Sequence, residues 1–135
     1  MPKPVPAGAR AEIEEVVTHQ LTLTAHHPEL PPVYSTPDMV RLMETACFFA
    51  LQPYAEGDEI TVGTAIHVTH TAATGVGAKV KAEAVLEALN GRFYTIRVRA
   101  WMNNGGDAWQ EIGAGTVDRA FVSVSKFLAR LPKKA

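Results

Sequence analysis

Residues 35–51 read STPDMVRLMETACFFAL, and this segment carries the strongest helix pattern in the chain. Ser35 and Thr36 supply hydroxyl groups suited to an N-cap, and Pro37 suits the first helical position. The polar side chains that follow in the apolar run are Arg41, Glu44 and Thr45. Because a helix that is apolar on almost every side must be covered on several sides, the sequence predicts a buried helix here.

The flanking segments have different patterns. Residues 12–23 are rich in β-branched side chains and predict a strand, whereas residues 25–37 contain four prolines and predict an irregular loop. Alternating runs after the helix predict four strands, at residues 62–71, 76–89, 93–102 and 108–124. Asn90 and Gly91 predict a type I′ hairpin between two of these strands. A helical turn is expected at residues 125–131, before the basic end at Lys133 and Lys134.

One strand, a buried helix and four antiparallel strands predict an α+β fold. An apolar helix of this kind is covered best by a curved antiparallel sheet that wraps around it. The chain has 135 residues, of which 47% are hydrophobic, and this size predicts a single domain over residues 1–135, with residues 1–10 flexible.

Composition excludes several classes of function. Thirteen basic and fourteen acidic side chains leave a formal charge of -1, which is not the basic surface that nucleic-acid binding requires. A lone cysteine, Cys47, excludes an intramolecular disulfide and fits a reducing compartment. Because residues 1–10 contain no apolar signal-sequence core and no later run approaches the length of a membrane span, we expect a cytoplasmic protein with no membrane contact.

Two histidines lie on the strand predicted after the helix. In the absence of a bulge, His70 points inward and His67 outward. The inward face would also carry Val62, Ile66 and Val68. An inward histidine is either a core side chain satisfied by a backbone carbonyl or a reactive group, and the strand pattern alone does not distinguish these interpretations.

Glu44 is the second unusual residue. It shares its helical stripe with Val40, Cys47 and Leu51. A carboxylate on such a stripe is costly to bury unless it is paired or functional. The alternatives are a pair with Arg41, three residues earlier, or a narrow polar window in the surface. Thr36 has the simplest alternative explanation, since an N-cap threonine needs no further role.

No other residues form a convincing site. His26 and His27 lack a third ligand at metal spacing, and the glycines at 75 and 77 lack the remaining features of a phosphate-binding loop. Cys47 lies in no recognisable nucleophile motif. The sequence therefore predicts no metal and no cofactor.

Three motifs resemble the hot-dog fold acyl-CoA thioesterases, in particular the fluoroacetyl-CoA thioesterase-like branch. They are YSTPDMVRLME at residues 34–44, VGTAIHVTHTAAT at residues 62–74 and GAGTVDR at residues 113–119. The resemblance extends in element order over residues 16–127. In that branch a threonine, a glutamate eight positions later and a downstream histidine form a catalytic triad, which implies Thr36, Glu44 and His70 here.

The resemblance also implies other properties. Gly63 would lie beside the thioester carbonyl, where the absence of a side chain permits close approach. The fold would be a hot-dog, assembled as a homodimer or a dimer of dimers, with active sites at the subunit interface. The substrate would be a short or medium acyl-CoA, or an acyl group on a carrier protein. Glu44 would attack the carbonyl, or Glu44 or His70 would activate water.

A non-catalytic module that binds or senses acyl-CoA is the alternative function. A hot-dog hydratase is less favoured because the expected aspartate and histidine spacing is missing. Four cations on two paired strands could meet the CoA phosphates, although solvated strand faces explain them better. They are Lys79, Lys81, Arg97 and Arg99.

Overall fold

The computed structural model describes residues 1–132. Its helices and strands are β1 (Arg10–Val16), α1 (Leu23–His26), α2 (Thr36–Leu51), β2 (Glu59–His70), β3 (Lys79–Asn90), β4 (Phe93–Asn103), β5 (Gln110–Ser123) and α3 (Val124–Ala129). The predicted basic end, Lys133 and Lys134, lies outside the described residues. Within residues 1–132, no helix combines the length and the apolar character needed to cross a bilayer.

The five strands form one antiparallel sheet in the order β1-β3-β4-β5-β2. The sheet curves around α2, and the two elements bury one core between them. The helix contributes Met39, Leu42, Met43, Ala46 and Cys47, and the strands contribute Val80, Ala82, Ala84, Ile96 and Val98. This arrangement confirms the α+β prediction of a curved antiparallel sheet around a buried helix.

The first strand is shorter than predicted. It ends at Val16, which pairs with Lys79 at the start of β3. The pairing continues for one more residue, because the N–H of Val17 donates to the carbonyl of Ala78 at 2.9 Å and its carbonyl accepts from the N–H of Gly77 at 2.8 Å. A 3₁₀ turn at His19–Leu21 and the single turn of α1 follow instead. The prediction of a strand through residue 23 is therefore wrong, and α1 begins the proline-rich loop with one regular turn.

The hairpin between β3 and β4 is present, but its turn differs from the prediction. Asn90 pairs with Phe93, so the two loop residues are Gly91 and Arg92. Only glycines have positive φ among the described residues, and Gly91 has φ 63°. A positive φ at the first central position alone is typical of type II′, whereas type I′ requires it at both.

Strand β2 lies at the edge of the sheet and contains a bulge. Its register against β5 shifts between Gly63 and Ala65. Thr61 is buried before the shift, whereas Val68 packs against the core after it. An extra residue moves the alternation of side chains by one position, so the prediction that Val62 shares the inward face of His70 is wrong.

Candidate active site

The helix cap is Ser35, whose hydroxyl accepts a hydrogen bond from the backbone N–H of Asp38 at 3.1 Å. Thr36 is the first residue of α2, and Pro37 is the second. The interpretation of Thr36 as a cap is therefore wrong. Since Ser35 satisfies the helix end, the hydroxyl of Thr36 is available to another partner.

That partner is His70, at the end of β2. Thr36 Oγ1 lies 2.8 Å from His70 Nδ1, and the two side chains form what we call the histidine half-site. The other ring nitrogen, Nε2, is buried and has no hydrogen-bond partner among residues 1–132. The two residues line a cavity of about 280 Å³ together with Leu23 and Val33. A buried nitrogen without a partner, beside a cavity, is suited to bind or deprotonate a ligand.

Burial also sets the protonation state of His70. Removal from water disfavours the imidazolium and lowers the pKa of His70 below its ordinary value of 6.5. The side chain is therefore neutral at pH 7, and one ring nitrogen carries a lone pair that can accept a proton. This is the state that a general base requires.

Glu44 lies in a second cluster, which we call the glutamate half-site. Its Oε2 accepts a hydrogen bond from a terminal nitrogen of Arg119 at 3.0 Å. Arg119 is only 6% exposed, and it also donates to the hydroxyl and the carbonyl of Thr61 at 2.9 and 2.8 Å. The predicted alternative partner, Arg41, instead donates to Glu15 at 2.6 Å. Glu44 is thus held by a buried guanidinium on the sheet.

Gly63 completes the glutamate half-site. A Cβ atom at this position would overlap Oε2 of Glu44 and would lie 3.3 Å from its Cδ. Any side chain here would therefore displace the carboxylate. Glycine at this position therefore allows the Glu44 carboxylate to pack directly on the β2 backbone.

The two half-sites are far apart in one chain. Thr36 and Glu44 are separated by eight residues, or about 12 Å along the helix axis. Gly63 and His70 are separated by seven residues, or about 23 Å along the strand. The cavity at His70 and the groove at Glu44 have no lining residue in common. A single chain therefore pairs Thr36 with His70 but leaves Glu44 elsewhere.

A hydrogen-bond network supports the histidine half-site from behind. The buried hydroxyl of Tyr34 donates to Glu15 at 2.6 Å, and Arg41 binds the same carboxylate. The backbone N–H of Tyr34 donates to the carbonyl of Thr74 at 2.7 Å. Burial, with the Glu15 carboxylate beside it, raises the pKa of Tyr34 and keeps the hydroxyl protonated. These contacts fix the chain immediately before Thr36.

The remaining candidates do not form a site. Burial raises the pKa of Cys47 to about 12, so this side chain is an inert thiol. His26 pairs with Asp38 at 3.0 Å, as part of the surface around the helix start.

Comparison with known proteins identifies the family. Residues 17–125 match the FlK family, described as fluoroacetyl-CoA-specific thioesterases. The chain belongs to this family. A fluoroacetyl-CoA thioesterase from Streptantibioticus cattleyicolor is 42% identical over 120 residues, which cover 89% of this chain and 83% of the relative.

Solved structures of this thioesterase family agree. A structure of the fluoroacetyl-CoA thioesterase FlK superposes with a TM-score of 0.83 at 38% identity, over 96% of this chain and 100% of the other. A hot-dog-like protein from Thermanaerovibrio acidaminovorans, at 17% identity, shares the fold with a TM-score of 0.79 over 96% and 95% of the two chains. The predicted hot-dog fold and thioesterase family are confirmed, and the protein is a thioester hydrolase.

Sequence reasoning missed Arg119 as a member of this thioesterase's candidate site. It lies in the motif at residues 113–119, but its partner Glu44 is 75 positions away. A signal was present, because Arg119 alternates with Val117 and Phe121 on the inward face of β5. A cation at an inward strand position requires a buried partner, in the same way as a carboxylate on an apolar helix.

Proposed function

We propose that the protein hydrolyses the thioester of a short acyl-CoA at a site built from two subunits. One subunit supplies the histidine half-site and the other supplies the glutamate half-site. The observation that carries this proposal is the separation of Glu44 from His70 within one chain. Thr36, Glu44 and His70 form a working triad only if a second copy brings the two half-sites together.

Strand β2 is suited to form this dimer. It is an edge strand of 12 residues, so one side of its backbone is unpaired within the sheet. Two copies related by a two-fold axis would pair their β2 strands antiparallel, with the same residues used on both sides. With the bulge residue Thr64 left unpaired, pairing Gly63 against His70 of the partner subunit centres the axis at residue 67. Ile66, next to this centre, is 44% exposed, and a dimer would cover it.

The chemistry follows from the two half-sites. The thioester carbonyl would lie between Glu44 and Nε2 of the partner's His70. Glu44 either attacks the carbonyl carbon or removes a proton from the attacking water. Thr36 holds the imidazole by Nδ1. Nε2 accepts a proton from water and passes it to the departing thiolate. Water supplies the hydroxyl of the free acid and the hydrogen of the released thiol.

The cavity at the histidine half-site favours a short acyl group. Its volume of about 280 Å³ is just below the usual range of ligand sites, roughly 300–1,000 Å³. Its apolar wall includes Leu23 and Val33, while the Tyr34 hydroxyl is already bound to Glu15. We therefore propose acetyl-sized acyl groups on CoA as the first substrates to assay, with fluoroacetyl as one member of the panel.

Heterodimers of two inactive variants test the shared site. Glu44→Gln and His70→Ala chains are coexpressed with different affinity tags, and the mixed dimer is purified. One of its two sites would contain intact Glu44, Thr36 and His70, so the dimer should release thiol from acetyl-CoA at about half the wild-type rate.

A heterodimer of Thr36→Ala and His70→Ala chains is the matched control. Both changes lie in the histidine half-site, so neither site is intact and activity should stay at the level of the homodimeric variants. Equal activities of the two heterodimers, or a monomeric and active wild-type protein, would contradict the shared site. Binding of acyl-CoA without thiol release by the wild-type protein would contradict hydrolysis of that substrate.

A further inference from the structure

Glu15 is a charged residue on the inward face of β1. Inward positions alternate with exposed ones along this strand, and the neighbouring inward residues, Ala11, Ile13 and Val17, pack in the core. A carboxylate at such a position has to be paired, because burying an unpaired charge is costly. An apolar side chain would fit the pattern of the strand, so the charge of Glu15 needs a separate explanation.

The partners of Glu15 lie on the segment that leads into α2 and on α2 itself. The carboxylate accepts a hydrogen bond from the Tyr34 hydroxyl at 2.6 Å, and Arg41 donates to both carboxylate oxygens at 2.6 and 2.8 Å. Tyr34 is only 1% exposed, whereas the Arg41 side chain reaches the surface. Hydrogen bonds to an ionised carboxylate are short and directional. The buried contact with Tyr34 therefore ties the start of the helix to β1.

Tyr34 joins the two chain segments that carry the histidine half-site. Thr36 follows Tyr34 by two residues, and the backbone N–H of Tyr34 donates to the carbonyl of Thr74 at 2.7 Å. Thr74 follows His70 by four residues, in the loop after β2. A displacement of Tyr34 would therefore move Thr36 relative to His70. Their contact of 2.8 Å leaves little room for this movement, because such a hydrogen bond is largely lost by about 3.6 Å.

We propose that Glu15 is a positioning residue for thioester hydrolysis and acts, through Tyr34, on the contact that defines the histidine half-site. This inference rests on the proposed function. It extends the active site to β1, which lies at the opposite edge of the sheet from β2 and supplies no reacting group. The role is confined to the histidine half-site, because the glutamate half-site is held separately by Arg119.

Kinetics of Tyr34→Phe test the proposal. This change removes the hydroxyl and keeps the buried ring, so kcat for acetyl-CoA should fall roughly fivefold to tenfold with KM unchanged. Glu15→Ala should have the same effect, whereas Glu15→Gln keeps an oxygen that accepts from Tyr34 and should retain most of the rate. The matched control is Tyr54→Phe, which removes a phenol hydroxyl beyond the C-terminal end of α2 and should leave both constants unchanged.

A double-mutant cycle separates this role from a general effect on folding. If Tyr34 acts through Thr36, Tyr34→Phe should cause no further loss of kcat in a Thr36→Ala protein, within about twofold. A general loss of structure would instead lower kcat by the same factor in both backgrounds. Equal factors in the two backgrounds, a loss in Tyr34→Phe no larger than in Tyr54→Phe, or a loss in Glu15→Gln as large as in Glu15→Ala would overturn the proposal.

The ring nitrogens of His70 give a readout that does not depend on hydrolysis. In ¹H–¹⁵N correlation spectra of protein labelled at histidine, Tyr34→Phe should shift the Nδ1 resonance of His70 in the same direction as Thr36→Ala does, and Tyr54→Phe should not. The signal is assigned by its absence from His70→Ala. An unchanged His70 resonance in Tyr34→Phe would overturn the positioning role. Absence of thiol release by the wild-type protein would overturn the proposed function, and the spectra would still test the contact.

Discussion

The two half-sites hold their reactive groups in opposite ways. In the histidine half-site, a hydrogen bond between His70 Nδ1 and the Thr36 hydroxyl positions the ring, and the reactive Nε2 remains unpaired at a cavity. In the glutamate half-site, the carboxylate of Glu44 is bound by the buried Arg119 and packs on the backbone at Gly63. The histidine half-site leaves one ring nitrogen without a hydrogen bond, whereas the glutamate half-site pairs its carboxylate with a guanidinium.

This difference has a physical reason. An unpaired neutral imidazole nitrogen costs less to bury than an unpaired carboxylate, which would have to be protonated or matched by a cation. Arg119 therefore provides the counter-charge for Glu44 beside the sheet, whereas His70 is positioned by one hydroxyl. Changes to the two half-sites should consequently have different effects on activity and on stability.

The largest effect should come from Glu44→Gln. The amide keeps the size of the side chain and can still accept from Arg119, but it can neither attack a carbonyl nor remove a proton. We expect kcat for acetyl-CoA to fall roughly 10³-fold, and Tm to fall as well, because the buried Arg119 loses its counter-charge. Steady-state thiol release and thermal unfolding check this expectation, and retention of most activity would show that the glutamate half-site takes no part in the reaction.

A smaller effect should separate Thr36 from its neighbour Ser35. Thr36→Ala removes the hydrogen bond to His70 and should lower kcat roughly 10- to 100-fold, while Thr36→Ser keeps the hydroxyl and most of the activity. Ser35→Ala removes the helix cap and should cost about 1 kcal/mol of unfolding free energy. Denaturant titrations and kinetics of the three variants would distinguish the capping role from the catalytic role. A loss of activity in Ser35→Ala as severe as in Thr36→Ala would contradict this separation.

The smallest effect should be a shift in the pH profile. Burial lowers the pKa of His70, so the neutral form persists to a lower pH than in a free histidine. As pH rises, kcat/KM should therefore increase and reach its plateau with an apparent pKa below 6.5. His19→Gln removes an exposed histidine in the 3₁₀ turn, outside β2 and its proposed pairing, and should leave the profile unchanged. An acid limb that moves with His19 instead would contradict the assignment of His70 as the base.

Several features could be predicted from the sequence because they depend on neighbouring residues. The apolar run at residues 39–51 predicts its own burial, and the alternation at residues 78–86 predicts which side chains of β3 face the helix. The preference for an inward His70 over His67 was correct. The bulge in β2 does not change the relative orientation of the two histidines, because both lie after the extra residue.

Other features could not be predicted because they depend on distant pairings. The sequence pattern offered Arg41 as one possible partner of Glu44, since the two residues lie one helical turn apart. Arg41 is instead bound to Glu15 on β1, and Arg119 on β5 holds Glu44. Adjacent hydroxyls raised the same difficulty at the helix start, where the local pattern does not choose between Ser35 and Thr36 as the cap.

The sequence by itself determined that a buried helix is wrapped by antiparallel strands, and it indicated Thr36, Glu44 and His70 as the residues to consider. Side-chain periodicity and motif spacing depend only on the order of residues in the chain, and not on which strands become neighbours. The tertiary structure alone decided that Thr36 meets His70, that Arg119 meets Glu44, and that the two pairs lie apart. Those contacts depend on the strand order, on the register of β2 against β5 and on the bulge, which are set by packing among residues far apart in the chain.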